Sequence, residues 1–470
     1  VTVVAFTRAK ADNVERATLA LDRALGTSKL LVGEARCLAY SRDDSSNVGV
    51  VADVVVLAES ADDVRATLRI AAEHDVPVTP RAGGSGRTGG AVPVAGGIVL
   101  ATHAMARIKD IDRKNLIAVV EPGVILADLH EAVTREGLFY PPDPNSADQC
   151  MIGGNLAENA GGPRAFKYGV TRDYVLGVEA CLMGGELVRP GKRTPKGVTG
   201  YDVTALLVGS EGTLAVFTEA TLKLVPNPPQ LMTLLALYTD VHAAGESVSE
   251  VIAAGLRPRC LELLDRQTLD VVREAGNAID ARAGAMLLVE TDGEGAEREA
   301  ERLGEIMGAR AIDVVVAQDE AQRARLWSAR KSLSYATRKL TKKKLSEDIV
   351  VPRTEIAALL RRVDAIGERE RVRHLTYGHA GDGNLHVSFL WNDESEAPAV
   401  DRAIEALMRA TLELGGTISG EHGIGMSKMA YIELEQSAEL IALQKRLKSA
   451  FDPKGLLNPG KIFPTGHRGC

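Results

Sequence analysis

The chain of 470 residues exceeds the roughly 250 to 300 residues at which a single core usually stops growing, so two domains are expected. Hydrophobic residues make up 45% and charged residues 25%, ordinary soluble values, and a formal net charge of -7 without basic–aromatic interleaving excludes nucleic acid as a partner. No stretch reaches the ~20 apolar residues of a transmembrane span and the N-terminus lacks a signal-peptide core, so the expected location is cytoplasmic, with a start at Val1 that leaves a trimmed leader open.

In chain order, Asp62 is placed to cap a helix with Val64, Leu68 and Ala71 at helical spacing, ahead of the strand-like VPVTP. Ile98–Ala101, Leu116–Val120 and Val175–Leu182 read as strands, with a helix over Leu126–Glu136 between them. The prolines of LVPNPP break both helix and strand and mark a boundary near residue 226. Beyond it, helical patterns over Asp265–Glu274, Glu294–Gly308, Glu320–Lys339 and Thr354–Glu370 alternate with strand-like MLLVE and VVVA. An amphipathic helix over Ala438–Phe451 precedes the turn-rich DPKGLLNPGK. Both halves are therefore α+β. The basic cluster from Arg338 to Lys344 reads as a solvated face, with a docking surface for an electron carrier or the inner face of a membrane as the alternative. Cys37, Cys150, Cys181, Cys260 and Cys470 show no CxxC spacing, which argues against a disulfide scaffold and iron–sulfur ligation, so electrons would leave through another molecule.

Glycine, at 46 residues, is the compositional anomaly. Gly84, Gly86 and Gly89 spell GxGxxG, but Pro93 and the Gly96–Gly97 pair that follow forbid the helix of a dinucleotide-binding turn. PRAGGSGRTGG can instead aim backbone N–H groups at a pyrophosphate, with Ser85, Thr88 and Arg87 adding donors. A second glycine-dense run, Met151–Gly169, and a third, VGSEGTLAVFT, repeat the theme. Three such segments separated by strands suit one long cofactor with phosphates and a large ring, FAD.

At this point the chain resembles FAD-dependent 2-hydroxyacid dehydrogenases of the vanillyl-alcohol-oxidase type, which include D-lactate, glycolate and D-2-hydroxyglutarate dehydrogenases, from about Tyr40 to Pro464. The resemblance implies an FAD-binding domain over 1–226, an α+β substrate or cap domain over 227–415, and a segment over 416–470 that returns to the flavin and completes the active site. It implies flavin contacts from Arg81, Gly83, Gly84, Ser85, Gly86, Thr88, Gly89, Pro144, Ser146, Gly153, Gly154, Asn155, Asn159, Ala160, Glu211 and Asn458. Ala215 stands where the family often has a second glycine. No histidine or cysteine occupies an evident ring-attachment position, so the FAD is expected to be noncovalent.

His379 and His386 bracket HAGDGNLH, whose GDG turn can bring the two rings together, and Glu421 in SGEHGIG could complete a set for one metal ion. On spacing alone two histidines bonded within a tight turn serve as well; the resemblance implies a divalent ion, Zn2+ first and Mn2+ or Fe2+ next. His422, next to Glu421, is then available as the base for a substrate hydroxyl while hydride passes from C2 to flavin N5. In similar proteins the arginine at Arg330 grips the substrate carboxylate, with Ser334 as a second donor and Asn384 holding the turn and contacting substrate. Relatives acting on D-2-hydroxyglutarate carry a lysine where this chain has Ser346, which favours D-lactate unless Lys343 or Lys344 substitutes. The expected activity is thus FAD- and metal-dependent oxidation of a D-2-hydroxy acid, with D-2-hydroxyglutarate dehydrogenase, a glycolate oxidase subunit, or a flavin-carrying electron-transfer subunit without catalysis as alternatives. An electron-transferring flavoprotein, an iron–sulfur subunit or a quinone-linked carrier would accept the electrons, and the fold would allow a homodimer.

Overall fold

A computed structural model describes residues 8–45 and 50–464; in the helix Glu320–Leu340 the side chains at 329, 331, 332, 334–336 and 338–340 lie outside that description. The chain divides into two compact units: the described parts of Val1–Ala160, Val170–Asn227 and Glu421–Cys470 form the first, and Gly161–Gly169 with Pro228–Gly420 the second.

In the first unit β1 (Leu30–Val32), β2 (Val54–Leu57), β3 (Val78–Arg81) and β4 (Ile98–Ala101) form a sheet in the order β1-β2-β4-β3, parallel across β2, β4 and β3. Parallel strands are covered on both faces, which is why VVVL and IVLA are buried without alternation. The helix Ala61–Glu73 crosses between β2 and β3 and lays Val64, Leu68 and Ala71 into the core. Ser60, not Asp62, caps it: the Ser60 hydroxyl accepts from the Asp63 N–H, while Asp62 sits in the first turn. A second sheet comprises β5 (Ile108–Asp112) and β6 (Ile117–Val120), followed after the two-residue β7 (Leu138–Phe139) by β8 (Val175–Cys181), β9 (Leu187–Val188) and β10 (Val216–Lys223), in the order β5-β6-β10-β8-β9; β11 (Val225–Pro226) pairs with β7. The last helix, Ala438–Phe451, ends before a turn in which Leu457 bridges Val78 of β3, so the chain's late residues close the edge of its first sheet.

The second unit is built on one seven-stranded sheet. It contains β12 (Leu231–Tyr238), β13 (Cys260–Asp265), β14 (Ala285–Asp292), β15 (Asp313–Val316), β16 (Lys343–Val350), β17 (Arg373–His379) and β18 (Asn384–Trp391), in the order β15-β12-β14-β13-β17-β18-β16. Neighbouring strands pair antiparallel. On one face Leu235, Leu237, Leu264, Met286, Leu288, Leu375 and Leu390 meet Leu269 and Val272 of the helix Arg266–Glu274 and Leu333 of the helix Glu320–Leu340. Helices Val241–Ala253, Ala296–Gly308 and Ile356–Glu370 also pack on this sheet. Side chains directly opposite across antiparallel strands share a face. The register Glu262↔His379, His379↔Asn384, Tyr377↔His386 and Asp348↔His386 therefore puts five polar side chains beside that apolar core.

Candidate active site

In the first unit the glycine loop leaving β3 is shaped by close approach. Gly84 has φ +68°, and a methyl group there would lie 2.1 Å from the Arg81 guanidinium; one at Gly83 would lie 2.8 Å from the Gln149 carbonyl. Arg81 donates to the Arg42 carbonyl at 2.6 Å and lies over the Tyr40 ring. No helix follows the GxGxxG, as its prolines and glycines require. Arg87, a further donor in the sequence-based expectation, is exposed and pairs with Asp44 at 3.4 Å. Thr88 ties the loop to the 422–427 turn: its hydroxyl donates to the His422 carbonyl at 3.1 Å, and its own carbonyl accepts from Met426 N at 2.7 Å and Ser427 N at 3.1 Å. Pro144 and Ser146 shape the turn before residue 151, the Ser146 carbonyl accepting from Gln149 N and Cys150 N.

The second glycine run departs from expectation, because Ile152–Glu158 is a helix rather than a loop. Gly153 lets its first turn seat against Pro122, 2.7 Å from where a Cβ would fall, and Asn159 ends it in the left-handed region at φ 54°. Glu211 is likewise left-handed at φ 52°, and its carboxylate accepts from Ile424 N at 2.9 Å and Gly425 N at 2.6 Å. Asn458 clamps two loops at once, its Nδ2 donating to the Gly90 carbonyl at 3.0 Å and the Glu211 carbonyl at 2.8 Å. Around this cradle, Asn155 Nδ2, Glu158 Oε2, Ser210 Oγ and Asn458 Oδ1 are buried with no hydrogen-bond partner among the described residues. Buried polar atoms are ordinarily paired. Orphans beside glycines that admit no Cβ fit a large polar cofactor, and Asn155 and Asn458 are among the residues the sequence assigned to FAD.

In the second unit the polar end of the sheet face is organised by a residue the sequence reading missed, Glu262. Its Oε2 accepts from Arg330 Nε at 2.9 Å and its Oε1 from His379 Nδ1. Burial alone would raise the Glu262 carboxyl, but the His379 and Arg330 charges and bonds outweigh it and hold it down at about 2. An ionised carboxylate only accepts, so His379 donates to it through Nδ1; a metal bound by this imidazole in its neutral form would be held through Nε2. The His379 and His386 rings converge across the hairpin, 5.4 Å apart and nearly perpendicular. Arg330, only 7% exposed, lies over the Tyr377 ring at 5.0 Å and has an Nη2 without a hydrogen-bond partner among the described residues. Ser334 falls among the side chains outside the described set.

Asn384 donates to Asp348 Oδ1 at 2.6 Å and to the Ile349 carbonyl at 3.0 Å, holding the hairpin to β16. Asp348, also unforeseen, lies 3.9 Å from His386 Nδ1 and accepts from Gly420 N at 2.9 Å. Ser346 shares this face and accepts from the Ser388 hydroxyl at 3.0 Å. Of the two candidate lysines, Lys343 turns to Glu394, whereas Lys344 approaches the Tyr377 hydroxyl at 3.5 Å. Glu421 and His422 belong to the first unit, where His422 Nε2 lies 3.8 Å from Glu421 Oε1. The signal that could have exposed Glu262 is an acid in the middle of an apolar strand, CLELLD; buried charges are rarely there without a partner.

The first unit holds orphaned polar atoms among closely approached glycines and the second a sheet carrying Arg330 and two converging imidazoles, features of a flavin-linked oxidoreductase. The family models agree: residues 52–191 match the FAD binding domain and residues 227–462 match the C-terminal domain of FAD linked oxidases, so the chain belongs to the FAD-linked oxidase family. It is 44% identical, over 92% of its length and 93% of the relative's, to the glycolate oxidase subunit GlcD of Bacillus subtilis. It is 38% identical, over 87% of its length and 91% of the relative's, to the D-lactate dehydrogenase of Archaeoglobus fulgidus. The fold is that of p-cresol methylhydroxylase, with a TM-score of 0.81 at 14% identity over 96% of this chain and 97% of that one. The 4-ethylphenol oxidase of Gulosibacter chungangensis follows at 0.78 and 20% identity, over 97% and 98%. The expected vanillyl-alcohol-oxidase-type α+β fold is thereby borne out. Among the described residues no helix is long and apolar enough to cross a membrane.

Proposed function

We propose that the chain oxidises a small 2-hydroxy acid, D-lactate or the achiral glycolate, to its 2-oxo acid. FAD, bound noncovalently in the first unit, supplies the two-electron acceptor. Arg330 binds the substrate carboxylate: its Nε is committed to Glu262, which leaves the Nη edge, with its unpartnered Nη2, to grip an anion. That half-committed, buried guanidinium is the observation that carries the reading. His379, His386 and Glu421 would hold a divalent ion, Zn2+ first, whose charge acidifies an alcohol oxygen. His422 takes the hydroxyl proton. With Glu262 fixing the His379 tautomer, the imidazole arrives oriented rather than having to be ordered on binding.

The similarity to a glycolate oxidase subunit favours a separate electron acceptor, an iron–sulfur subunit, an electron-transferring flavoprotein or a quinone-linked carrier. Ser346, where D-2-hydroxyglutarate enzymes carry lysine, supports a monocarboxylate, while Lys344 beside Tyr377 is the residue through which a second carboxylate would be accepted. Anaerobic addition of D- and L-lactate, glycolate, D-2-hydroxyglutarate and D-malate to the flavin-loaded chain tests the reading. Bleaching by D-lactate or glycolate is expected, and no bleaching by any of the five would refute it in favour of a flavin carrier without catalysis.

A further inference from the structure

The carboxyl of Glu158, last residue of the helix Ile152–Glu158, has no part in the hydride and proton transfers proposed above. It is half-buried as a residue, but its Oε2 is shut off from solvent and has no hydrogen-bond partner among the described residues. Three glycines make room for it: a methyl group at Gly423 would lie 2.3 Å from Oε2, one at Gly90 2.9 Å from Oε1, and one at Gly86 4.0 Å from Oε1. Gly86 and Gly90 belong to the loop that resembles a flavin-binding loop, and Gly423 follows His422, so the carboxyl opens among segments of the cofactor cradle.

Glu211 shares this space, and its Cδ would lie 2.9 Å from the same methyl group at Gly423. The two acids are not equivalent. Burial raises the Glu211 carboxyl as well, but Glu211 has a backbone N–H on each oxygen and the Lys461 and Lys428 cations to offset it in part. Glu158 has none of these; burial first, then the Glu211 and Asp43 carboxylates, push it well above the usual carboxylate range. Two buried anions side by side with one set of donors keep one proton between them, and it belongs on the acid without donors.

We propose that Glu158 binds the flavin as a neutral carboxylic acid, its Oε2–H donating a hydrogen bond to an acceptor on the cofactor. An amide can replace that donor and a hydrocarbon cannot, so Glu158→Gln should bind FAD within about twofold of wild type, whereas Glu158→Leu should weaken binding at least about tenfold. FAD titration of the apoproteins, followed by fluorescence quenching, measures both. The infrared difference spectrum between oxidised and reduced holoenzyme should contain a carboxylic-acid carbonyl band that Glu158→Gln removes, and this holds whether or not the leucine variant folds. Absence of that band, wild-type affinity in Glu158→Leu, or loss of FAD in Glu158→Gln would each overturn the proposal. A wild-type apoprotein that takes up no FAD would overturn the cofactor assignment along with it.

Discussion

Replacing Glu262 by Gln removes the one charge that Arg330 and His379 both answer to. The side chain keeps its volume, so no cavity forms, and the cost is electrostatic. Held at about 2 against an ordinary 4.5, the carboxyl is worth about 3 kcal/mol of folding free energy at neutral pH. Breaking a buried ion pair from one side costs about 3 to 5 kcal/mol by an independent route, because Arg330 keeps its charge and loses its partner. For a unit of this size, about 3 kcal/mol lowers Tm by roughly 6 to 12 °C.

The sign with pH follows from the depressed value. The stabilisation is complete above the unfolded value near 4.5 and is lost as pH falls through about 2, so the Tm gap between wild type and Glu262→Gln should close across that acid window. Scanning calorimetry of both proteins from neutral pH downward measures it. Steady-state kinetics should show a raised KM as Arg330 loses its orientation, and metal analysis a reduced content as His379 loses its fixed tautomer. A variant with unshifted Tm and unchanged KM would refute the claim that one carboxylate positions both groups.

Arg330→Lys keeps the charge but not the two-pronged guanidinium, and should raise KM for the acid about tenfold or more with a smaller change in kcat, measured by dye-linked turnover. His422→Ala should lower kcat by about 10²- to 10⁴-fold while the protein stays yellow with FAD, which separates proton transfer from cofactor loss. Gly84→Ala forces a side chain into a backbone at φ +68° and onto Arg81, and should be recovered largely free of FAD by absorbance. Chelator treatment should abolish turnover without releasing flavin, and added Zn2+ or Mn2+ should restore it; indifference to the chelator would remove the metal from the mechanism.

Much of the scaffold could be read from residue order because local pattern and burial agree. Ile98–Ala101 and the helix Ala61–Glu73 stand where the sequence predicts them, the first a continuous apolar run and the second an amphipathic stripe that buries Val64, Leu68 and Ala71. Ile152–Glu158 could not be read this way. Two glycines in seven residues cost about 1 kcal/mol each in a helix, and what offsets them, burial of Ile152 and Leu156 and the seat of Gly153 on Pro122, comes from a strand and turn far away in sequence. The site divides along the same line. His379, His386, Arg330 and the glycine loops announce themselves by motif, whereas Glu262 is joined to its partners across 117 and 68 residues and Asp348 to Asn384 across 36. Such pairings exist only once the sheet register is set, so no window of sequence contains them.

The clamp formed by Asn458 has a consequence for biosynthesis. Its amide joins the Gly90 carbonyl across 368 residues, and its neighbour Leu457 closes the edge of β3. A ribosome emits the glycine loop 368 residues before the amide that clamps it, with the whole 228–420 stretch made in between. Until Asn458 has emerged the Gly90 and Glu211 carbonyls lack their common donor, so the two loops are joined only after a long stretch of later chain has been made.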